Sequence, residues 1–97
     1  MRKMLLCFPV LLSACSTAPA EPVVHGQTPG HTCKEEGTAQ FVGQTRSDAV
    51  GAKIRRASNA AVVRWAPPGV MLTMDFREDR VTVWLDAANK ITKIRCG

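Results

Sequence analysis

The chain has few of the side chains that catalysis and metal binding use most. Of its 97 residues only two are histidine, His25 and His31, and both precede the part that we expect to fold. The serines of that part, Ser47 and Ser58, have no base near them in the sequence. An enzyme is therefore disfavoured. The spacing of the histidines from Cys33 matches no common zinc pattern, so we expect neither a metal nor a cofactor.

Long apolar segments are also scarce, and the one at the start is short. Residues 4–12 carry no charge and follow Arg2 and Lys3. This is a charged region and an apolar region of signal-peptide length, too short to span a bilayer. The run Leu-Ser-Ala-Cys that ends at Cys15 resembles the lipobox of bacterial lipoproteins. The resemblance implies that residues 1–14 are a lipoprotein signal peptide and that Cys15 is lipidated. An ordinary signal peptide with a cysteine near its end is the alternative.

The remaining charge says little about a nucleic-acid partner. Loss of residues 1–14 would leave 11 basic and 8 acidic residues and lower the formal charge from +5 to +3. So small a net charge on an exported protein is weak evidence for nucleic-acid binding, so we expect no nucleic-acid partner.

The expected membrane attachment is through lipid. Two acyl chains on Cys15 would anchor the protein stably to a membrane. The next residue, Ser16, is not the aspartate that commonly retains lipoproteins at the inner membrane, so we expect the outer membrane of the cell envelope.

The rest divides into a tether and one small domain. Residues 15–32 hold three prolines, two glycines and few large apolar residues, which predicts a lipidated cysteine and a flexible tether with solvated histidines. Residues 33–97 are the expected domain. Its cysteines, Cys33 and Cys96, lie near its two ends, and an even pair in an oxidising compartment predicts a disulfide worth roughly 4 kcal/mol. Two unpaired thiols are the alternative.

One helix is predicted early in the domain. Thr45 can cap it, and Asp48 lies in its first turn, where negative charge suits the helix dipole. Gly51 is expected to weaken the helix by about 1 kcal/mol relative to alanine. Ser58 and Asn59 end it. The apolar stripe at helical spacing consists of Val50, Ile54 and Ala57.

Three strands are predicted after the helix, at residues 61–65, 80–85 and 91–96, with a turn at 86–90. A helix packed on a small sheet gives an α+β domain. Val81, Val83 and Leu85 are expected to share one face of the second strand, and Thr92, Ile94 and Cys96 to share one face of the third.

The gap between the first two strands, residues 66–79, is long for a loop in so small a domain. It is rich in large apolar residues and stiffened at its base by Pro67 and Pro68. It could be an extended loop that enters another protein's cleft. It could equally be another strand, residues 69–76, with its apolar side chains in the core.

Residues 66–81, Ala-Pro-Pro-Gly-Val-Met-Leu-Thr-Met-Asp-Phe-Arg-Glu-Asp-Arg-Val, resemble the reactive-site loop of potato-inhibitor-I-like serine peptidase inhibitors. Within that group the chain is most similar to peptidase inhibitor family seventy-eight. Shared features are an early cysteine, Phe-Val-Gly-Gln at 41–44, an Arg-Val-x-Val-x-Leu-Asp strand and a closing Arg-Cys-Gly. The resemblance covers residues 33–97. It implies one helix on a small mixed sheet with an extended, exposed inhibitory loop.

The resemblance also implies site residues. The scissile bond would join Met74 to Asp75, with Met74 as the primary specificity residue. Arg80 would reach back to hold Asp75 and Thr73, supported by Arg77 on the far side of the loop and Gly97 at its base. The other residues of the inhibitory loop would be Gly69, Val70, Met71, Leu72 and Phe76.

The sequence departs from the plant inhibitors at Thr82, where they often carry a second arginine, so fewer charge-assisted hydrogen bonds are expected under the loop. The implied function is inhibition of serine endopeptidases of subtilisin or chymotrypsin type, whose apolar pocket would accept Met74. We expect a monomer. The alternative is a non-inhibitory envelope lipoprotein that binds proteins through a sheet face formed by Trp84, Lys90, Lys93 and Arg95.

Overall fold

A computed structural model describes residues 24–97. The predicted signal peptide, residues 1–14, and Cys15 lie outside this range. No helix within it is long and apolar enough to cross a membrane. After a short 3-10 helix at Ala39–Phe41, the elements in chain order are α1 (Asp48–Ser58), β1 (Val62–Ala66), β2 (Arg80–Leu85) and β3 (Ile91–Cys96).

The three strands form one mixed sheet in the order β1-β2-β3. β1 runs parallel to β2, and β2 runs antiparallel to β3. Parallel neighbours need a long crossover between them, and here residues 67–79 supply it. The long segment thus follows from the topology, because the chain must travel back along the sheet before β2 begins. The predicted α+β class, with one helix packed on a small mixed sheet, is confirmed.

The N-cap of helix α1 lies two residues after the expected one. Ser47, not Thr45, is the N-cap, and its hydroxyl accepts a hydrogen bond from the Val50 amide at 3.0 Å. Asn59 ends the helix in the left-handed conformation, with φ of 62°. The prediction of Thr45 as the N-cap is wrong. Its backbone forms an isolated β-bridge with Lys90 and so lies outside the helix.

The buried stripe of α1 differs from the predicted one. Ala57 is exposed, and the buried residues are Gly51, Ile54 and Ser58. Gly51 lies against the ring of Trp65, whose Cζ2 would be only 2.9 Å from a Cβ at this position. The glycine that weakens the helix as a local element therefore permits its close approach to β1.

The core lies between α1 and the sheet, around the fully buried Ile54, Val81 and Val83. On β3 the expected alternation fails, because Ile91 and Ile94 are buried whereas Thr92 is exposed. The register between β2 and β3 shifts at Trp84 and Leu85, which changes the face that β3 presents. The predicted disulfide is present, and the Cα atoms of Cys33 and Cys96 are 5.6 Å apart.

Candidate inhibitory site

The loop between β1 and β2 leaves the sheet through a tight turn. The Val70 amide donates to the Pro67 carbonyl at 3.3 Å, and Gly69 has a φ of 82°. A turn of this kind requires a positive φ at its third residue, which glycine adopts without strain. The two prolines hold the base of the turn. The remaining loop, residues 71–79, is directed from there back to β2.

The middle of the loop is exposed and forms no strand. Met74 is 98% exposed and Met71 is 93% exposed. Val70 and Phe76 are also exposed, and Leu72 is partly buried. The interpretation of residues 69–76 as a core strand is therefore wrong, because these apolar side chains lie outside the core. The loop instead presents them to solvent.

Arg80 holds the loop directly after Met74. Its side chain is buried at the start of β2, and its Nη2 donates to the Asp75 carbonyl at 2.8 Å. The same nitrogen lies 3.7 Å from the Asp75 carboxylate. Arg80 Nε donates to the Gly97 carbonyl at 3.1 Å. Arg80 thus ties the loop to the end of β3 through one guanidinium.

A second arginine holds the loop directly before Met74. Arg64, on β1, donates to the Thr73 hydroxyl at 3.1 Å through Nη1. Its Nε donates to the Thr82 hydroxyl at 3.1 Å, and Thr82 in turn donates to the Gly97 carbonyl at 3.0 Å. Two expectations are corrected here. Thr73 is held by Arg64 rather than by Arg80, and the arginine missing at Thr82 has a counterpart on the neighbouring strand.

The carboxylate of Asp75 is strongly stabilised in its charged form. Hydrogen bonds from the side chains of Thr73 and His25 lower its pKa well below the usual range, and the charge of Arg80 acts in the same direction. His25 Nε2 donates to Asp75 Oδ2 at 3.0 Å. Asp75 therefore remains an anion at any physiological pH.

Gly97 closes the base of the loop. Its amide donates to the Arg80 carbonyl at 2.8 Å, and its own carbonyl accepts from Arg80 and Thr82. The ring of Phe76 lies above it, 3.1 Å from where a Cβ would be. With a φ of 123° as well, any other side chain at this position would strain the backbone and displace the Phe76 ring.

Beyond Phe76 the loop is fixed by a buried carboxylate. Asp79 is fully buried, and Arg77 binds it in a bidentate manner with two contacts of 3.0 Å. Thr28 adds a third hydrogen bond at 2.6 Å. Hydrogen bonding to Arg77, and then to Thr28, lowers the pKa of Asp79 to about 2 against the penalty of burial. Arg77 therefore acts within the loop, with its side chain only partly exposed.

The last part of the predicted tether is not free of the domain. Residues 25–28, which we call the N-terminal arm, lie along residues 75–79 of the loop. Gly26 is buried and accepts from the Asp79 amide at 3.1 Å, while Gln27 donates to the Glu78 carboxylate at 3.3 Å. Further along, His31 Nδ1 lies 3.1 Å from the Asn59 carbonyl. Both histidine rings therefore have a protein partner, although the His25 side chain remains 65% exposed.

The alternative binding face is largely occupied by its own side chains. Trp84 is partly buried, and the Lys93 ammonium lies 4.3 Å from its ring centroid. Arg95 lies 3.6 Å from the Glu35 carboxylate. Within residues 24–97, no three histidine, cysteine or acidic side chains are grouped as metal ligands would be. Of the residues that the structure describes, those of the loop include the most exposed large apolar side chains, Met74, Met71 and Phe76.

Sequence comparison identifies the family. The sequence model of the Peptidase inhibitor I78 family matches residues 33–97. No curated protein sequence matches the chain.

Solved structures of protease inhibitors share the fold. The elastase inhibitor AFUEI is 25% identical, with a TM-score of 0.54 over 67% of this chain and 94% of its own. The bitter gourd trypsin inhibitor is 29% identical, with a TM-score of 0.52 over 70% of this chain and 94% of its own. Together with the family match, these similarities identify a non-enzymatic protease inhibitor, and the chain belongs to the Peptidase inhibitor I78 family.

Proposed function

We propose that this chain inhibits serine endopeptidases of the subtilisin or chymotrypsin type, with the Met74–Asp75 peptide bond in the position of a scissile bond. The observation that carries the proposal is the contrast between Met74 and its two neighbours. Thr73 and Asp75 accept hydrogen bonds from Arg64 and Arg80 respectively, whereas the Met74 side chain between them is 98% exposed. A side chain offered to solvent from a held backbone is suited to enter a specificity pocket.

Affinity would come from the order that the loop already has. An ordinary peptide substrate loses backbone and side-chain freedom when a peptidase binds it, and this loss reduces the net binding free energy. Here hydrogen bonds to arginines on β1 and β2 restrict the loop before any enzyme arrives. These bonds are charge-assisted and stronger than neutral ones. More of the contact energy would therefore appear as affinity.

The same restraint would protect the inhibitor from being consumed. The enzyme's serine oxygen attacks the Met74 carbonyl carbon, the bond to the Asp75 nitrogen breaks, and that nitrogen takes a proton to become an amine. Because Arg80 holds the Asp75 carbonyl, the amine would stay beside the acyl-enzyme. Its high effective concentration favours attack on the ester and return of the peptide bond over hydrolysis by water.

Specificity would follow from the methionine. Its side chain is unbranched, flexible and apolar, so it suits a roomy hydrophobic pocket. The methionine carries no positive charge, so the aspartate in the specificity pocket of a trypsin-like enzyme would be left unpaired. Trypsin-like enzymes should therefore bind poorly. The elastase and trypsin named for the two similar structures are the targets of those proteins.

For its location we propose a lipid anchor at Cys15, on the outer membrane of a bacterial envelope, with the chain acting as a monomer. The lipobox-like sequence supports the anchor, and Ser16 directly after Cys15 supports the outer membrane. Labelled palmitate fed to cells that express the full chain should appear in the wild-type protein and be absent from Cys15→Ser. Equal labelling of both proteins would refute the anchor.

The decisive experiment is a set of inhibition constants for the full chain against subtilisin, chymotrypsin, elastase and trypsin. Wild type should inhibit the first two most strongly. Met74→Asp should weaken inhibition by at least a hundredfold, because a charge would be buried in an apolar pocket. Met74→Leu should retain it. Val42→Asp, which introduces the same charge at an exposed apolar residue outside the loop, should behave as wild type. Absence of inhibition at micromolar concentration would refute the proposal.

A further inference from the structure

The N-terminal arm lies outside the part of the chain that the family match covers, yet each of its four residues contacts the loop. The family match begins at Cys33. Thr28 donates to Asp79 at 2.6 Å, and Gln27 donates to Glu78 at 3.3 Å. The arm runs alongside the half of the loop that follows Met74. It is thus placed to restrain that half alone.

Gly26 shows how closely the arm and the loop approach. It is buried, has a φ of 82°, and a Cβ there would lie 3.0 Å from the Arg77 Cα. Its carbonyl accepts the Asp79 amide at 3.1 Å. At the outer end, His25 donates to the Asp75 carboxylate at 3.0 Å. The arm therefore runs close beside the loop backbone and is joined to it through the hydrogen bond from the Asp79 amide to Gly26.

Asp79 joins the arm to the rest of the domain. Its carboxylate accepts from Thr28 and Arg77, its amide donates to Gly26, and its carbonyl accepts from the amides of Ala61 and Val62 at 2.8 and 3.2 Å. One fully buried residue thus connects the arm, the loop and the start of β1. Loss of the Thr28 hydroxyl would leave one oxygen of this buried carboxylate with fewer donors, which is unfavourable.

We propose that the N-terminal arm is a brace of the inhibitory loop, and that Thr28 is a positioning residue for its downstream half. The inference rests on the proposed function. After cleavage, residues 75–79 would carry the new amine, and they are joined to β2 at one end only. The arm limits their motion through Asp75, Glu78 and Asp79. It would therefore hold the amine where it can attack the acyl-enzyme, and raise the fraction of intact inhibitor.

The test compares Thr28→Val with Thr32→Val in the full chain. The two changes are chemically identical, and Thr32 is exposed, with no side-chain hydrogen bond to the loop among residues 24–97. With subtilisin, Thr28→Val should raise the inhibition constant about tenfold and raise the ratio of cut to intact inhibitor at equilibrium by a similar factor. Thr28→Ser, which keeps the hydroxyl, should match wild type. Unfolding curves verify that each variant is folded.

Hydrogen exchange of the uncomplexed protein separates this inference from the proposed function. The Asp79 amide, bonded to Gly26, should exchange about tenfold faster in Thr28→Val than in Thr32→Val, whereas the Gly97 amide should be unchanged. If wild type inhibits no peptidase, the proposed function fails while exchange still tests the brace. Equal exchange in both variants, or equal inhibition constants in an active inhibitor, would overturn the inference.

Discussion

Asp79 is the residue on which the loop's downstream half depends most. It is a carboxylate without solvent contact, and its charge is compensated by the two contacts from Arg77 and the one from Thr28. A buried ion pair is costly to form, and removal of one partner is costlier still because the other charge stays uncompensated. The loop therefore tolerates little change at this position.

We predict that Asp79→Asn lowers the free energy of unfolding at pH 7 by about 2 kcal/mol, because an amide cannot accept both guanidinium contacts. A urea titration followed by circular dichroism measures this. Glu78→Gln, the matching change at the less buried neighbour, should cost under about 0.5 kcal/mol. Equal midpoints for the two variants would contradict this role of Asp79.

The same residue predicts a pH dependence of stability. Its pKa in the folded protein is lowered to about 2, below the usual value of an aspartate. A lowered pKa stabilises the fold above the unfolded pKa, and this contribution is lost as the pH falls. The Tm of wild type should therefore fall between about pH 5 and pH 2, and more steeply than that of Asp79→Asn. Parallel curves for the two proteins would refute the assignment.

Among the elements, the parallel pair of β1 and β2 decides how the loop is held. Register places Arg64 opposite Thr82, so a guanidinium from β1 reaches the loop where Thr82 is too short to do so. Arg64 and Arg80 then hold the residues on either side of Met74. Support from two strands restrains the loop from two directions.

Arg64→Met should weaken inhibition about tenfold, because it removes the hydrogen bond to Thr73 and leaves the apolar stem in place. Inhibition constants against subtilisin measure the effect. Arg95→Met is the control, since Arg95 lies exposed on β3 at 3.6 Å from Glu35 and such a pair contributes little. If the two variants inhibit equally well, Arg64 does not hold the loop.

Helix α1 offers a test of its own packing. Gly51→Ala in an isolated helix would be stabilising by about 1 kcal/mol. Here a Cβ would come within 2.9 Å of the Trp65 ring, so we expect a lower Tm, by roughly 4–8 °C for each 1 kcal/mol lost. In a Trp65→Leu background the same change should raise the Tm. A higher Tm in the otherwise wild-type chain would show that the ring moves without cost.

At the scale of the whole molecule, the sequence predicts those elements whose hydrophobic pattern is local and regular. The clean alternation in residues 80–85 predicted β2 with its bounds. The face of β3 was mispredicted, because the register shift near Leu85 interrupts the period of two. The loop's exposure came from family resemblance, since its spacing alone was equally typical of a strand.

Two parts of the site were beyond sequence reasoning for a common physical cause. The role of Arg64 depends on which residue of β2 lies opposite it. The composition of residues 15–32, with three prolines, two glycines and few large apolar residues, predicts a tether. The contacts of the arm are instead with residues about fifty positions away, such as His25 with Asp75. Spacing along the chain carries no information on either contact. Only the folded topology brings these groups together.

The disulfide ties the two ends of the domain together. By the loop-entropy model, the Cys33–Cys96 bond is worth roughly 4 kcal/mol, a large part of the stability of so small a domain. Reduction should lower the urea midpoint accordingly. It should also weaken inhibition, because Cys96 precedes the glycine that accepts from Arg80. The double variant Cys33→Ser/Cys96→Ser controls for the reductant. An unchanged midpoint after verified reduction would refute this.

The nearly complete solvent exposure of Met74 has a consequence for adaptation. The side chains that hold the loop beside Met74 belong to other residues, Arg64 and Arg80, and the exposed methionine side chain supports neither of them. If the proposed function holds, target choice and fold integrity are encoded at different positions. A single codon change at residue 74 could redirect the molecule towards an enzyme of different preference, while the architecture that presents the new side chain stays as it is.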